Sequence, residues 1–131
     1  MVDVEVLAKT AVDCGFHLHR EIGPGLLESV YELLMFESLK ARGLFVERQL
    51  SVPIRFNGIV IDNAFRADLL VEKSLLIELK STEQHSPLHA KQLLTYLRLL
   101  ELPLGLLMNF GAETLKEGTR RLANNYYRPI G

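Results

Sequence analysis

Three features of the sequence predict an α/β (α+β) fold, a mixed β-sheet flanked by helices. Apolar residues recur at helical spacing through residues 3–42, and the period then shortens to two from "FVERQLSVPIRF" onward. Further on, a proline-led helical segment separates two short, nearly continuous apolar runs, "LLIELKS" and "LGLLMNF". Runs of that kind read as strands covered on both faces. Helices and strands mixed in this way close as a sheet with helices packed against it.

Each element has its own local signal. Residues 3–21 form a first helix on Val6, Leu7, Val12 and Phe16, and "GPG" at 23–25 stops it. A second helix runs from about Leu26 to Arg42 with Leu27, Val30, Tyr31, Leu34 and Leu39 as its apolar stripe, and Gly43 ends it. "FVERQLSVPIRF" is an extended strand in which Pro53 marks an edge or a bulge. Asn57 and Gly58 make a hairpin turn into "IVIDNAFRADLLV", and "LLIELKS" comes next as a third strand. Ser86 caps a helix that opens on Pro87 and runs to about Glu101, where Pro103 and Gly105 break it. "LGLLMNF" is the fourth strand, and a last short strand lies around Thr119 to Ala123. The order is ααβββαβ(β).

At 131 residues the chain has the size of a single domain with a core of its own. A formal net charge of −1 gives no overall attraction for phosphate, so nucleic-acid binding would need a local basic patch or metal ions. The single Cys14 has no partner for an internal disulfide and reads as a buried, inert thiol. "MVDVEVLAKTAVDCGF" carries acids where a secretory leader has bases, and Arg98, Glu101 and Pro103 interrupt the longest apolar region. A cytoplasmic location without membrane contact is the expectation.

The residues that demand explanation lie in "RADLLVEKSLLIELK", where Asp68, Glu78 and Lys80 stand inside strand-like apolar runs. Ionised groups in such surroundings are paired or hold a metal. Alternate residues of a strand share a face, so Asp68 goes with Leu70, and Glu78 with Leu76 and Lys80. If Glu72 to Ser74 form a three-residue connection, Val71 faces Leu75 and Asp68 falls opposite Glu78, with Cβ atoms roughly 5 Å apart. A two-residue turn would pair Asp68 with Leu79 instead and separate the acids. Opposed carboxylates repel unless a positive charge lies between them, and oxygen ligands suit Mg²⁺ or Mn²⁺. Lys80 would then orient a metal-activated water or offset charge on an attacked phosphorus. The plain alternative is a charged strand end with a surface ion pair between Glu78 and Lys80.

Further motifs accompany this hairpin. "HREIGPGLLESVYE", "ERQLSVPI", "RADLLVE", "IELKS", "QLLTYLRL", "GLLMNFG" and "LKEGTRR" occur in an order that resembles the GxxExxY family of the PD-(D/E)XK nuclease-like superfamily. The resemblance implies a restriction-endonuclease-like sheet spanning residues 1–131 as one domain. It implies that Glu28 is the helix-borne acid of the metal shell, Asp68 the central aspartate, and Glu78 with Lys80 the (D/E)-x-K pair. The carbonyl of Leu79 would be an added ligand. Gln92 and Tyr96 match the Q-x-x-x-Y helix of RecB-like relatives, which contacts substrate backbone or braces the lysine. Ala67 stands where the superfamily has proline. The activity that the resemblance implies is that of a Mg²⁺- or Mn²⁺-dependent nuclease acting on nucleic acid, DNA ahead of RNA. The alternative is a catalytically silent module of the same fold that binds nucleic acid or a protein partner, as an accessory or a homodimer.

Several other groupings carry less. His85 and His89 are four apart, but Ser86 and Pro87 start the helix between them, so a zinc pair is not expected. His17 and His19 do not face each other on a helix. Arg66, Lys80, Lys91, Arg98, Arg120 and Arg121 are candidates for a basic border, and "NNYYR" at 124–128 reads as packing of the C-terminal segment.

Overall fold

The computed structural model describes residues 3–126. Helix α1 (Val4–Ile22) starts where the Asp3 carboxylate accepts the Glu5 N–H, and it ends at Gly23 with φ 81°. Helix α2 (Glu28–Ala41) comes after a short loop. Strands β1 (Val46–Phe56), β2 (Ile59–Val71) and β3 (Leu75–Lys80) make an antiparallel meander. Helix α3 (Pro87–Leu100) carries the chain across to β4 (Leu104–Asn109), which pairs parallel with β3. A four-residue helix α4 (Leu115–Gly118) leads into β5 (Thr119–Ala123), antiparallel to β4. The sheet order is therefore β1-β2-β3-β4-β5, a mixed sheet with flanking helices.

Two cores sandwich this sheet. On one face α1 and α2 pack Leu7, Leu18, Tyr31, Met35 and Leu39 over Leu69, Val71, Leu75, Ile77 and Leu79. On the other, α3 packs Leu93, Tyr96 and Leu97 over Ala67, Leu70, Leu76 and Leu107. Alternation over Leu69–Val71 and Leu75–Leu79 assigns Leu69, Leu75 and Ile77 to the first core and Leu70 and Leu76 to the second, while Ala67, an odd position packed in the second core, shows that the alternation of β2 breaks at Asp68. Glu78 and Lys80 continue the even series of β3 and so belong to the α3 side of the sheet, whereas Asp68 stands at the break in alternation of β2, within reach of Glu32 of α2.

Most expected elements appear with ends moved by a residue or two. Pro53 lies on an edge strand at a register shift between Val52 and Ile54, as its missing N–H requires. Asn57 and Gly58 both have positive φ, 47° and 79°, matching the tight hairpin turn. The α2 stripe differs from expectation: Leu27 and Val30 are exposed, while Tyr31, Glu32, Met35 and Leu39 are buried. Leucine and valine surround this helix, so hydropathy alone left its buried face ambiguous. Val6 and Phe16 of α1 are exposed for the same reason, with Leu7, Ala11 and Leu18 facing inward. Helix α4 was not expected; the Thr114 hydroxyl caps it by accepting the Glu117 N–H. In the "NNYYR" segment, Tyr127 and Arg128 lie outside the described residues, and Asn124 packs as expected by donating to the Leu97 and Leu102 carbonyls. Among the described residues, no helix is long and apolar enough to cross a membrane.

Candidate active site

The β2–β3 ladder pairs Val71 with Leu75, Leu70 with Leu76 and Leu69 with Ile77 around the connection Glu72–Ser74. Glu72 and Lys73 both take left-handed φ, 50° and 54°, and Ser74 N–H closes the turn on the Val71 carbonyl at 3.0 Å. One further rung in that register would set Asp68 against Glu78. There the side chains take over from the backbone: the Asp68 N–H donates to Glu78 Oε1 at 2.9 Å, and the Leu79 N–H donates to Asp68 Oδ2 at 2.8 Å. The other side of β2 is interrupted at the same level. Gln49 of β1 has φ 52° and drops out of the ladder between the Arg48–Leu69 and Leu50–Ala67 pairs. Asp68 thus sits at a gap in the sheet's pairing, with the ladder to β1 resuming at Leu50–Ala67 and the ladder to β3 ending at Leu69–Ile77.

Burial shapes the charge of this pair. Glu78 is 6% exposed, and its carboxyl is pushed up to about 8, first by burial and then by the charge of Asp68. The backbone hydrogen bond and the Lys80 ammonium pull the other way. Asp68 is raised to about 6, again mainly by burial, against the hydrogen bond from Leu79, with Glu32 and then Glu28 adding repulsion. Both acids therefore hold protons above the ordinary carboxylate range, as an uncompensated pair must.

Helix α2 brings two acids toward Asp68. Glu28, the expected contributor, is the first helical residue and is exposed, acting on Asp68 through space. Glu32, one turn later, is buried and stands closer, acting on Asp68 by charge and by direct side-chain approach. Its carboxylate accepts from Gln49 Nε2 at 2.5 Å and from Arg48 Nε and Nη2 at 3.3 Å. Sequence reasoning missed Glu32. The available signal was its position four residues after Glu28 and three before Met35, which places it at the junction of the acidic and apolar faces.

The "GxxExxY" stretch fixes where α2 begins. Tyr31 is fully buried and stacks on Phe110 at 4.6 Å; its hydroxyl donates to the Gly23 carbonyl at 2.5 Å and accepts the Leu26 N–H at 3.2 Å. Ser81, one residue beyond Lys80, donates to the Leu26 carbonyl at 2.6 Å. The loop carrying Glu28 is thereby tied to the end of β3.

Lys80 is half-buried, and its ammonium makes no hydrogen bond or ion pair among the described residues. Its backbone is clamped: the Phe110 N–H donates to the Lys80 carbonyl at 2.8 Å. Just beyond, the buried Asn109 amide accepts from Thr82 N–H and returns a hydrogen bond to the Thr82 carbonyl, each at 3.0 Å. Leu79 gives Asp68 its N–H while its side chain is buried in the opposite core. On α3, Tyr96 is buried, stacked on Phe65 at 4.1 Å, and close enough to Glu78 and Asp68 that they add to the rise its burial causes. Gln92 lies one turn earlier and is exposed.

The remaining candidates disperse. Arg121 is held by Glu5, at 2.8 Å through Nη1, and so is committed elsewhere. Arg66, Lys91, Arg98 and Arg120 are exposed. The His85 ring lies against the Glu117 carbonyl at 2.9 Å, off α3, while His89 sits in the first turn of that helix. Cys14 is buried, and burial raises its thiol.

Among the described residues, no three His, Cys, Asp or Glu side chains are grouped closely enough to hold a metal ion as they stand. The chemistry of the donors nonetheless fits a hard divalent cation. Asp68 and Glu78 offer carboxylate oxygen only, each keeps one oxygen free of its backbone hydrogen bond, and their raised proton affinity marks a site short of positive charge.

Comparison with known proteins agrees with this architecture. Residues 5–122 match the family model described as the PD-(D/E)XK nuclease superfamily. No curated protein gives a significant match. Among solved structures, the crystal structure of SSO0001 is similar in fold, with a TM-score of 0.52 and 24% sequence identity over 72% of this chain. The chain spans about half of that protein, 47% of its length. With its mixed sheet, flanking helices and a family match over nearly all of its length, the chain belongs to the PD-(D/E)XK nuclease superfamily.

Proposed function

We propose that this protein is a metal-dependent nuclease of the GxxExxY group that hydrolyses phosphodiester bonds, of DNA in preference to RNA. The observation that carries this reading is the exchange of hydrogen bonds between Asp68 and the Glu78–Leu79 segment, with Lys80 uncommitted beside it. A structural ion pair would have consumed the lysine; here Lys80 is left uncommitted next to the two acids.

Mg²⁺ or Mn²⁺ would be held by Asp68 and Glu78, with the Leu79 carbonyl and an acid of α2, Glu28 or Glu32, directly or through water. When bound, such a cation supplies Lewis acidity at the phosphate and a water that is nucleophilic near neutral pH. The protein's own part is positional. Lys80 orients the attacking water and offsets the negative charge that grows on the phosphate oxygens as the new P–O bond forms and the old one breaks. Gln92 and Tyr96 present an amide and a hydroxyl to the strand's backbone from one face of α3.

The test is cleavage of single- and double-stranded DNA and RNA with Mg²⁺, Mn²⁺ or chelator. Metal-dependent cutting that Lys80→Ala abolishes is expected. Binding without cutting under every condition would overturn the nuclease reading in favour of a silent binding module.

A further inference from the structure

Resting on that reading, we infer that His89 is a substrate-positioning residue whose imidazole hydrogen-bonds a backbone phosphate beside the one attacked. Four observations support it. His89, Gln92 and Tyr96 stand at i, i+3 and i+7 of α3 and therefore share one face, the face that Tyr96 packs beside Asp68 and Glu78. Charges from two other elements reach the ring: Lys80 at the end of β3 and Glu28 at the start of α2, with His85 behind it in the approach to α3. His89 is half-buried, yet its ring makes no hydrogen bond or ion pair among the described residues. The side chains of Lys80, Gln92 and Tyr96 likewise make no hydrogen bond or ion pair among the described residues. Lys80 and Tyr96 thus lie beside the acid pair and His89 lies beside Lys80, with none of the three side chains hydrogen-bonded or ion-paired within the described residues.

The contrast with the other histidines is physical. His17 bonds Arg20 at 2.9 Å, and the rings of His19 and His85 lie against the carbonyls of Ala112 and Glu117. His89 alone among the four histidines keeps both ring nitrogens free of the described residues while lying against the proposed site. Burial and Lys80 lower its affinity for a proton. A neutral imidazole still has one N–H to donate to phosphate without adding a second fixed charge next to Lys80. That arrangement suits alignment of a strand better than general attraction, which Lys80 supplies already.

The deciding measurement is fluorescence-anisotropy binding of a labelled single-stranded DNA oligonucleotide in chelator, beside steady-state cleavage with Mn²⁺. His89→Ala should weaken binding about tenfold, the factor that one hydrogen bond of ~1.4 kcal/mol provides. KM should rise by a similar factor with kcat nearly unchanged, and His89→Gln, which keeps a donor, should recover most of the loss. Unchanged binding in His89→Ala, or a fall in kcat at constant KM, would overturn the inference. So would a failure of His89→Gln to recover binding, or a wild type that does not bind the oligonucleotide. If the wild type binds without cutting, the nuclease reading fails, while the binding comparison still decides the role of His89.

Discussion

Asp68 and Glu78 face each other across β2 and β3, each carboxylate taking a hydrogen bond from the opposite strand's backbone: Asp68 N–H to Glu78 Oε1, and Leu79 N–H to Asp68 Oδ2. The arrangement holds two like charges at a gap in the sheet's pairing, where neither solvent nor an intramolecular cation relieves them fully. Its consequence is a dependence of stability on pH. Both acids bind protons more tightly folded than unfolded, so they favour the fold fully below their ordinary pKa near 4. That contribution is lost as pH rises through about 6 for Asp68 and about 8 for Glu78. Metal-free protein should therefore show a thermal midpoint that falls over this range, with a shallower fall in Glu78→Gln. Mn²⁺ should restore the midpoint at the alkaline end and do little near pH 5, because a cation binds the ionised pair. A Mn²⁺ effect independent of pH would contradict this account.

Lys80 gives the sharpest separation of binding from chemistry. Lys80→Ala removes a half-buried ammonium with no partner among the described residues, so little stability should change. Cleavage should drop by roughly 10²–10³, the loss expected when one preorganised charge-stabilising group is removed. Mn²⁺ uptake, followed calorimetrically, should persist and tighten slightly once the repelling ammonium is gone. Retained cleavage would remove the lysine from the mechanism.

The two acids of α2 make opposite predictions. Glu32 is buried, bonded to Gln49 and Arg48, and close to Asp68; Glu28 is exposed and more remote in effect. If Glu32 is the ligand, Glu32→Gln should weaken Mn²⁺ binding at least tenfold and Glu28→Gln much less. Glu32→Ala should also destabilise the fold by about 1–3 kcal/mol, since Arg48 and Gln49 lose their acceptor. The reverse ranking in a metal titration would return the role to Glu28.

These residues show how far the sequence pattern reaches. Asp68 opposite Glu78 is legible from counting three connection residues, because strand periodicity of two converts a loop length into a face. The order of elements along the chain, with a helix between the third and fourth strands, is legible from punctuation by Asn57–Gly58, Ser86–Pro87 and Pro103–Gly105. Glu32 is not, because α2 carries leucine, valine and phenylalanine around most of its circumference and hydropathy does not pick its inner face. Asn109 is hidden for a related reason: a buried amide at a strand end looks like a turn residue until Thr82 is found against it. The departure of Gln49 from the β1–β2 ladder, at φ 52°, has no glycine or other turn residue beside it in the sequence to announce it.

Tyr31 tests whether the "GxxExxY" stretch is a brace or a contact surface. Its hydroxyl satisfies the Gly23 carbonyl and the Leu26 N–H at once, and Leu26 in turn receives Ser81 from the end of β3. Tyr31→Phe keeps the ring stacked on Phe110 and removes only this double hydrogen bond. The loop groups it leaves are near enough to solvent to rehydrate in part, so the loss should be about 1–2 kcal/mol, read as a lower urea midpoint at constant m. Loosening that loop also frees the start of α2 relative to Lys80. Cleavage should fall several-fold, while Mn²⁺ affinity changes less, because Asp68 and Glu78 are fixed by the sheet itself. If Tyr31→Phe were as stable as the wild type yet inactive, the hydroxyl would have to act on substrate directly, and the brace assigned to it here would be wrong.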